Sequence, residues 1–130
     1  MKQKEHIESL LREYLSGRSE ILFGYLFGSM VDSDAFQDVD VGVFVRDPGS
    51  IGNGFDYALR MACELERRCG RRVDVILMNT APDHLIHSIS GGVILVDRDE
   101  DARVDFITKS WSRYFDIQPY RRQAVVDMLS

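Results

Sequence analysis

The stretch that most constrains the fold is Asp38-Val39-Asp40-Val41-Gly42-Val43-Phe44-Val45. Val39, Val41, Val43 and Val45 recur at every second position, the period of a β-strand with one buried face. The same period places Asp38 and Asp40 side by side on the opposite face. Aspartate is a poor strand former, and two adjacent carboxylates repel each other. Either the pair stands in water at an exposed edge, or a cation lies between the two acids. Hard divalent ions such as Mg²⁺ take oxygen ligands, typically one or two carboxylates together with substrate phosphates.

The residues before this strand favour the cation. The run Leu22-Phe23-Gly24-Tyr25-Leu26-Phe27 reads as part of a first strand, Ile21–Phe27, and it ends in Gly28-Ser29. Glycine lets the chain turn tightly and lets a ligand approach the backbone. Serine is a good helix N-cap, and a helix N-terminus offers free N–H groups to a phosphate. A phosphate cradle beside a carboxylate pair makes a site for a nucleotide and Mg²⁺. A second acid pair, Asp32-Ser33-Asp34, lacks apolar neighbours and reads as loop.

Residues 2–16 read as an amphipathic helix, with Ile7, Leu10, Leu11, Tyr14 and Leu15 at helical spacing and Gly17 as the stop. After the acidic strand, Asp47-Pro48-Gly49-Ser50 and Gly52-Asn53-Gly54 read as a flexible loop. A second long helix over 55–69 is expected to turn Phe55, Ala58, Leu59, Ala62 and Leu65 inward, and Gly70 ends it. Strands follow over 72–78 and 93–96, separated by a short helix over 82–89 that closes at Gly91-Gly92. A last helix runs from Asp101 towards Phe115, and Pro119 is expected to interrupt it before a tail helix. This order predicts an α/β or α+β domain with a mixed β-sheet flanked by helices. With 130 residues, no linker and no internal repeat, the chain is expected to be one domain, 1–130.

Composition narrows the function classes. The chain is 45% hydrophobic and 28% charged, ordinary for a globular protein, and no apolar run is long enough to span a membrane. A net charge of −5 argues against direct nucleic-acid binding, which uses a basic face. Cys63 and Cys69 fall on different sides of one helix and read as reduced thiols, and the polar start Met1-Lys2-Gln3-Lys4-Glu5 is not a signal peptide. Together these lead to the expectation of a cytoplasmic protein. His84 and His87 lack further ligands nearby and read as surface histidines. Arg67, Arg68, Arg71 and Arg72 complement a helix C-terminus.

The pattern Phe27-Gly28-Ser29, then Asp38-Val39-Asp40-Val41, then an acid between apolar residues in Val73-Asp74-Val75, resembles the DNA polymerase β-type nucleotidyltransferase superfamily. Within it the chain is similar to the minimal nucleotidyltransferases, in particular the MntA-like antitoxins paired with HEPN-domain ribonuclease toxins. That likeness runs nearly end to end. It includes Asn79-Thr80-Ala81-Pro82, Gly91-Gly92-Val93-Ile94-Leu95 and the tail Arg113-Tyr114-Phe115-Asp116-Ile117-Gln118-Pro119. Val31 and Ser33 stand where many relatives carry small residues and glycine, and Gln37 stands where they carry serine.

The resemblance implies transfer of AMP from ATP. Asp38 and Asp40 would hold both of two Mg²⁺ ions, and Asp74 would hold one of them and help deprotonate the attacking hydroxyl. Gly28 and Ser29 would grip the β- and γ-phosphates. The acceptor it implies is a tyrosine on a HEPN-type toxin, which the modification silences. For Asp74 the alternative is a salt bridge to Arg71 or Arg72. Two other functions stay open: an antitoxin that merely covers its partner, and a small-molecule nucleotidyltransferase. The motifs leave little chain for an acceptor pocket, so a partner protein must supply that surface. Residues 101–129, with their aromatics and Arg121-Arg122, are one candidate docking face. Homo-oligomerisation also stays open.

Overall fold

The computed structural model describes residues 2–36 and 38–129. Four strands, β1 (Ile21–Phe27), β2 (Asp38–Val45), β3 (Arg72–Leu77) and β4 (Val93–Asp97), form one sheet in the order β3-β2-β1-β4. β1 runs antiparallel to β2 and to β4, whereas β2 and β3 are parallel. The sheet is therefore mixed, as the sequence predicts. A parallel pair needs a long crossover. Here that crossover is α3 (Gly54–Cys69), which the Asn53 side chain caps by accepting from the Asp56 N–H. Gly70, at φ +70, closes it with a backbone bond to Glu66.

Each sheet face has its own core. The valine side of β2 is fully buried under α1 (Lys2–Ser16) and α3, with Leu11, Leu15, Met61 and Leu65 packed against Val39, Val41 and Val43. The opposite face carries Phe23 and Tyr25 of β1 beneath α4 (Asp83–Ser90) and α5 (Glu100–Leu129), which bring Ile86, Ile89 and Phe106. Polar contacts tie α3 to the start of the chain: the Tyr14 hydroxyl of α1 donates to Glu64, and the Tyr57 hydroxyl donates at 2.8 Å to Glu20 in the turn before β1. Burial and the Glu64 carboxylate push the Tyr14 phenol up to about 12. Asn79 mimics a strand residue, accepting from the Val45 N–H at 2.8 Å and donating to the Val45 carbonyl at 2.9 Å.

The structure corrects two expectations. On α3 the buried residues are Met61, Ala62 and Leu65, while Phe55 and Leu59 are exposed. β3 is the last strand of the sheet. Phe55 and Leu59 instead line a groove that also holds Val73 and Val75 of that strand. At the other end of the chain, α5 continues through Pro119 to Leu129 without a break. Proline removes one donor and can bend a helix, but the ladder on either side of it can persist. The Gln37 position lies outside the described residues.

Candidate functional site

The parallel register of β2 and β3 builds the site. It sets Asp40 directly opposite Asp74, and Asp38 opposite Arg72. Because residues two apart share a face, Asp38, Asp40 and Asp74 stand on the same side of the sheet, as the alternation in β2 requires. All three are partly buried. Asp40 is the least comfortable. Burial raises its carboxyl above the usual range, and the charges of Asp74 and then Asp38 raise it further. The cost of holding these acids together falls on the central one.

On its other side β2 pairs with β1, so Asp40 also faces Phe27, and the chain turns immediately afterwards at Gly28. Gly28 has φ +80 and ψ −153, a conformation essentially reserved for glycine. A Cβ there would sit 2.3 Å from Asp40 Oδ2. The acidic strand and the Gly28-Ser29 turn are therefore in contact. Gly28 itself occupies the N-cap position of the short helix α2 (Ser29–Asp32), and no side chain caps that helix. This corrects the expectation of Ser29 as the cap: Ser29 is the first helical residue. Asp32 ends the helix, and Ser33 and Asp34 lie in the loop.

Asp74 has neighbours on two sides. It stands beside Asp40, and its Oδ1 also lies 3.8 Å from Arg72 Nε. Arg72 is exposed and Asp74 about half-exposed, so the pair contributes little to stability. The three carboxylates suit a hard divalent ion by chemistry: oxygen donors on adjacent strands, with the central one destabilised as an anion by its neighbours. Among the described residues, no group of three or more His, Cys, Asp or Glu side chains is already drawn together to hold a metal ion. Asp74 leans towards Arg72 instead.

A groove of about 580 Å³ opens beside the acids. Asp40, Asp74 and Phe27 line its sheet side, and Phe55, Leu59 and Cys63 of α3 line the other. This apolar wall was missed in the sequence, where Phe55 and Leu59 pass for core residues. Next to Asp40 on β2, Gly42 leaves room for α4: a Cβ there would come within 2.9 Å of Ile89. His84 is exposed as expected. His87 is not, since its ring packs against Trp111, Tyr114 and Phe115 at centroid distances of 4.5, 4.9 and 5.7 Å. Trp111 and Phe115 keep part of their surface open on α5, and the side chains of Arg121 and Arg122 lie outside those described. Cys63 and Cys69 are free thiols. No described helix is long and apolar enough to cross a membrane.

Comparison with known proteins agrees with this fold. No curated protein matches the chain in sequence. Among solved structures, a chain of the toxin–antitoxin MntA–HepT is similar, with a TM-score of 0.74 and 19% identity, covering 97% of this chain and 99% of the other. A chain of a tri-AMPylated Shewanella oneidensis HEPN toxin in complex with MNT antitoxin gives 0.71 at 18% identity, with 95% and 99% covered. A chain of a toxin–antitoxin with AMP-PNP gives 0.73 at 19% identity, with 92% and 97% covered. At this level of identity the likeness concerns the fold. The sequence pattern of the family described as polymerase beta, nucleotidyltransferase matches residues 9–101, a span that holds Gly28, Ser29 and all three acids. The chain belongs to the polymerase β nucleotidyltransferase family.

Proposed function

We propose that this chain transfers AMP from ATP to a hydroxyl, first of all a tyrosine, on a HEPN-domain toxin, and so acts as the toxin's antitoxin in the cytoplasm. The observation that carries the reading is the contact between two halves of one site: Asp40 lies against Gly28 and opposite Asp74. The relatives give the direction. One similar complex joins an MNT antitoxin to a tri-AMPylated HEPN toxin, and another contains AMP-PNP.

In this reading the 130 residues act as one minimal catalytic domain. Gly28 and Ser29 bind the β- and γ-phosphates through the backbone of the turn. Asp38, Asp40 and Asp74 would hold two Mg²⁺ ions, which supply charge neutralisation at the phosphates. The acceptor oxygen forms a bond to the α-phosphorus, the bond from that phosphorus to the α,β-bridging oxygen breaks, and pyrophosphate leaves. The hydroxyl proton passes to a carboxylate oxygen of Asp74, which faces the open side of the site. Most of the acceleration comes from positioning and from charge placed where it develops.

The test is co-expression with the product of the adjacent gene, which this reading expects to be a HEPN-domain toxin. The partner should stop growth alone and be rescued by this protein, and its intact mass should rise by one or more AMP units. The Asp38→Asn/Asp40→Asn variant should add none. Rescue by the wild type with no mass change would assign the antitoxin role to simple covering of the partner.

A further inference from the structure

The strand order and the chemistry of phosphoryl transfer together fix the side from which an acceptor enters. The attacking and leaving oxygens lie roughly in line across the transferred phosphorus. With pyrophosphate leaving towards Gly28-Ser29, after β1, the acceptor arrives from the opposite side, past β2 and over β3. β3 is the edge of the sheet. Alongside that edge runs the exposed side of α3, where Phe55, Leu59 and Cys63 follow one another at helical spacing. Phe55 is 76% and Leu59 is 52% exposed, unusual for large apolar residues beside a polar site. The groove they line is the one that contains Asp40 and Asp74, so the apolar wall and the carboxylates are continuous. Glu66 and Arg72 line the same groove, so its polar rim carries both signs of charge.

We propose that the α3 stripe and the β3 edge form the docking surface for the acceptor protein. The occupant is the acceptor-bearing segment of that protein, apolar towards Phe55 and Leu59, which delivers its hydroxyl to Asp74. The inference rests on the AMP-transfer reading above and adds to it the surface and the chemistry of the partner. An interface of ordinary size, about 800 Å² on each side, extends beyond this stripe and uses it as the anchoring centre.

The experiment uses the full chain, labelled ATP with Mg²⁺, and the product of the adjacent gene as the acceptor protein. Phe55→Glu/Leu59→Glu is compared with wild type for label transferred, for ATP binding by calorimetry and for melting temperature. The expected result is a fold and an ATP affinity like those of wild type, with transfer and complex formation lowered about tenfold or more. Bulky alkylation of Cys63 in a Cys69→Ala background should block transfer in the same way and provides a second route if the double variant does not fold. Phe115→Glu on α5 serves as the competing surface. Undiminished transfer by the α3 variant, or loss confined to Phe115→Glu, would overturn the docking surface while leaving AMP transfer intact. Loss of ATP binding in the α3 variant would place the stripe in the nucleotide site and overturn it as well. A change only in the protein's own oligomeric state would assign the stripe to a second copy. No label on the partner from wild type would remove the AMP-transfer reading, and the stripe would lose its occupant with it.

Discussion

Gly28→Ala is the most direct probe of how the two halves of the site meet. Two costs arise at one atom. The backbone conformation, φ +80 and ψ −153, is one that only glycine adopts easily, and holding another residue there costs about 1–3 kcal/mol. The new methyl would also lie 2.3 Å from Asp40 Oδ2, well inside contact distance. Relieving that overlap by moving the carboxylate or the turn adds roughly 1 kcal/mol or more. The expected loss is about 2–4 kcal/mol, which for a chain of this size lowers the melting temperature by on the order of 10 °C. Urea unfolding of four proteins separates the two contributions: wild type, Gly28→Ala, Asp40→Ala and the double variant. The backbone cost should persist in the Asp40→Ala background, and the steric part should vanish, leaving a coupling of about 1 kcal/mol. Nucleotide binding should fail in Gly28→Ala at temperatures where the protein remains folded. A single variant within about 0.5 kcal/mol of wild type would refute the close approach of Gly28 to Asp40.

Other outcomes follow from the same geometry. Asp38→Asn and Asp40→Asn should each lower AMP transfer by about 100-fold or more, measured as label on the partner, because each removes charge from the phosphate site. In the metal-free protein Asp40→Asn should raise the melting temperature. The raised carboxyl of Asp40 means the native state keeps this proton to a higher pH than the unfolded chain, so its contribution to stability is present in acid and lost as pH rises through the folded pKa. The gain from Asp40→Asn should therefore be largest near neutrality and disappear below the carboxylate range, as melting curves against pH would show. Calorimetric binding of ATP should require Mg²⁺ or Mn²⁺, and equal affinity in excess chelator would contradict a carboxylate-held ion. Asn79→Ala leaves the buried Val45 N–H and carbonyl without their side-chain partner, and urea unfolding should report a loss of about 1–3 kcal/mol.

The acidic strand was legible because a period of two is unambiguous. Once Val39, Val41, Val43 and Val45 are buried, Asp38 and Asp40 have only one face left. Asp74 was legible as an acid within an apolar strand, but its register opposite Asp40 depends on parallel pairing, which no local pattern encodes. The face of α3 was misread for a definable reason. Apolar residues at 55, 58, 59, 61, 62 and 65 cover too wide an arc for periodicity alone to choose the inner side. That choice is made by the position of β3 at the sheet edge, a tertiary fact. Ser29 was misassigned as the cap because the residue type favours capping, whereas the turn is governed by the φ of Gly28. The packing of His87 likewise depends on where α5 crosses α4, far away in sequence.

The crossover helix links these features. Parallel pairing of β2 and β3 is what sets Asp40 against Asp74, and parallel pairing needs a long crossover, usually a helix, between the two strands. α3 is that helix. It must cover the valine face of β2, and with β3 as the terminal strand nothing in the described chain covers its outer side beyond that edge. The connection that assembles the carboxylates therefore also leaves Phe55 and Leu59 exposed next to them. Another strand beyond β3 would bury the stripe and would also close the approach to Asp74. If AMP passes to another molecule as proposed, the open edge at β3 is the path by which that acceptor reaches Asp74, with the exposed apolar side of α3 beside it.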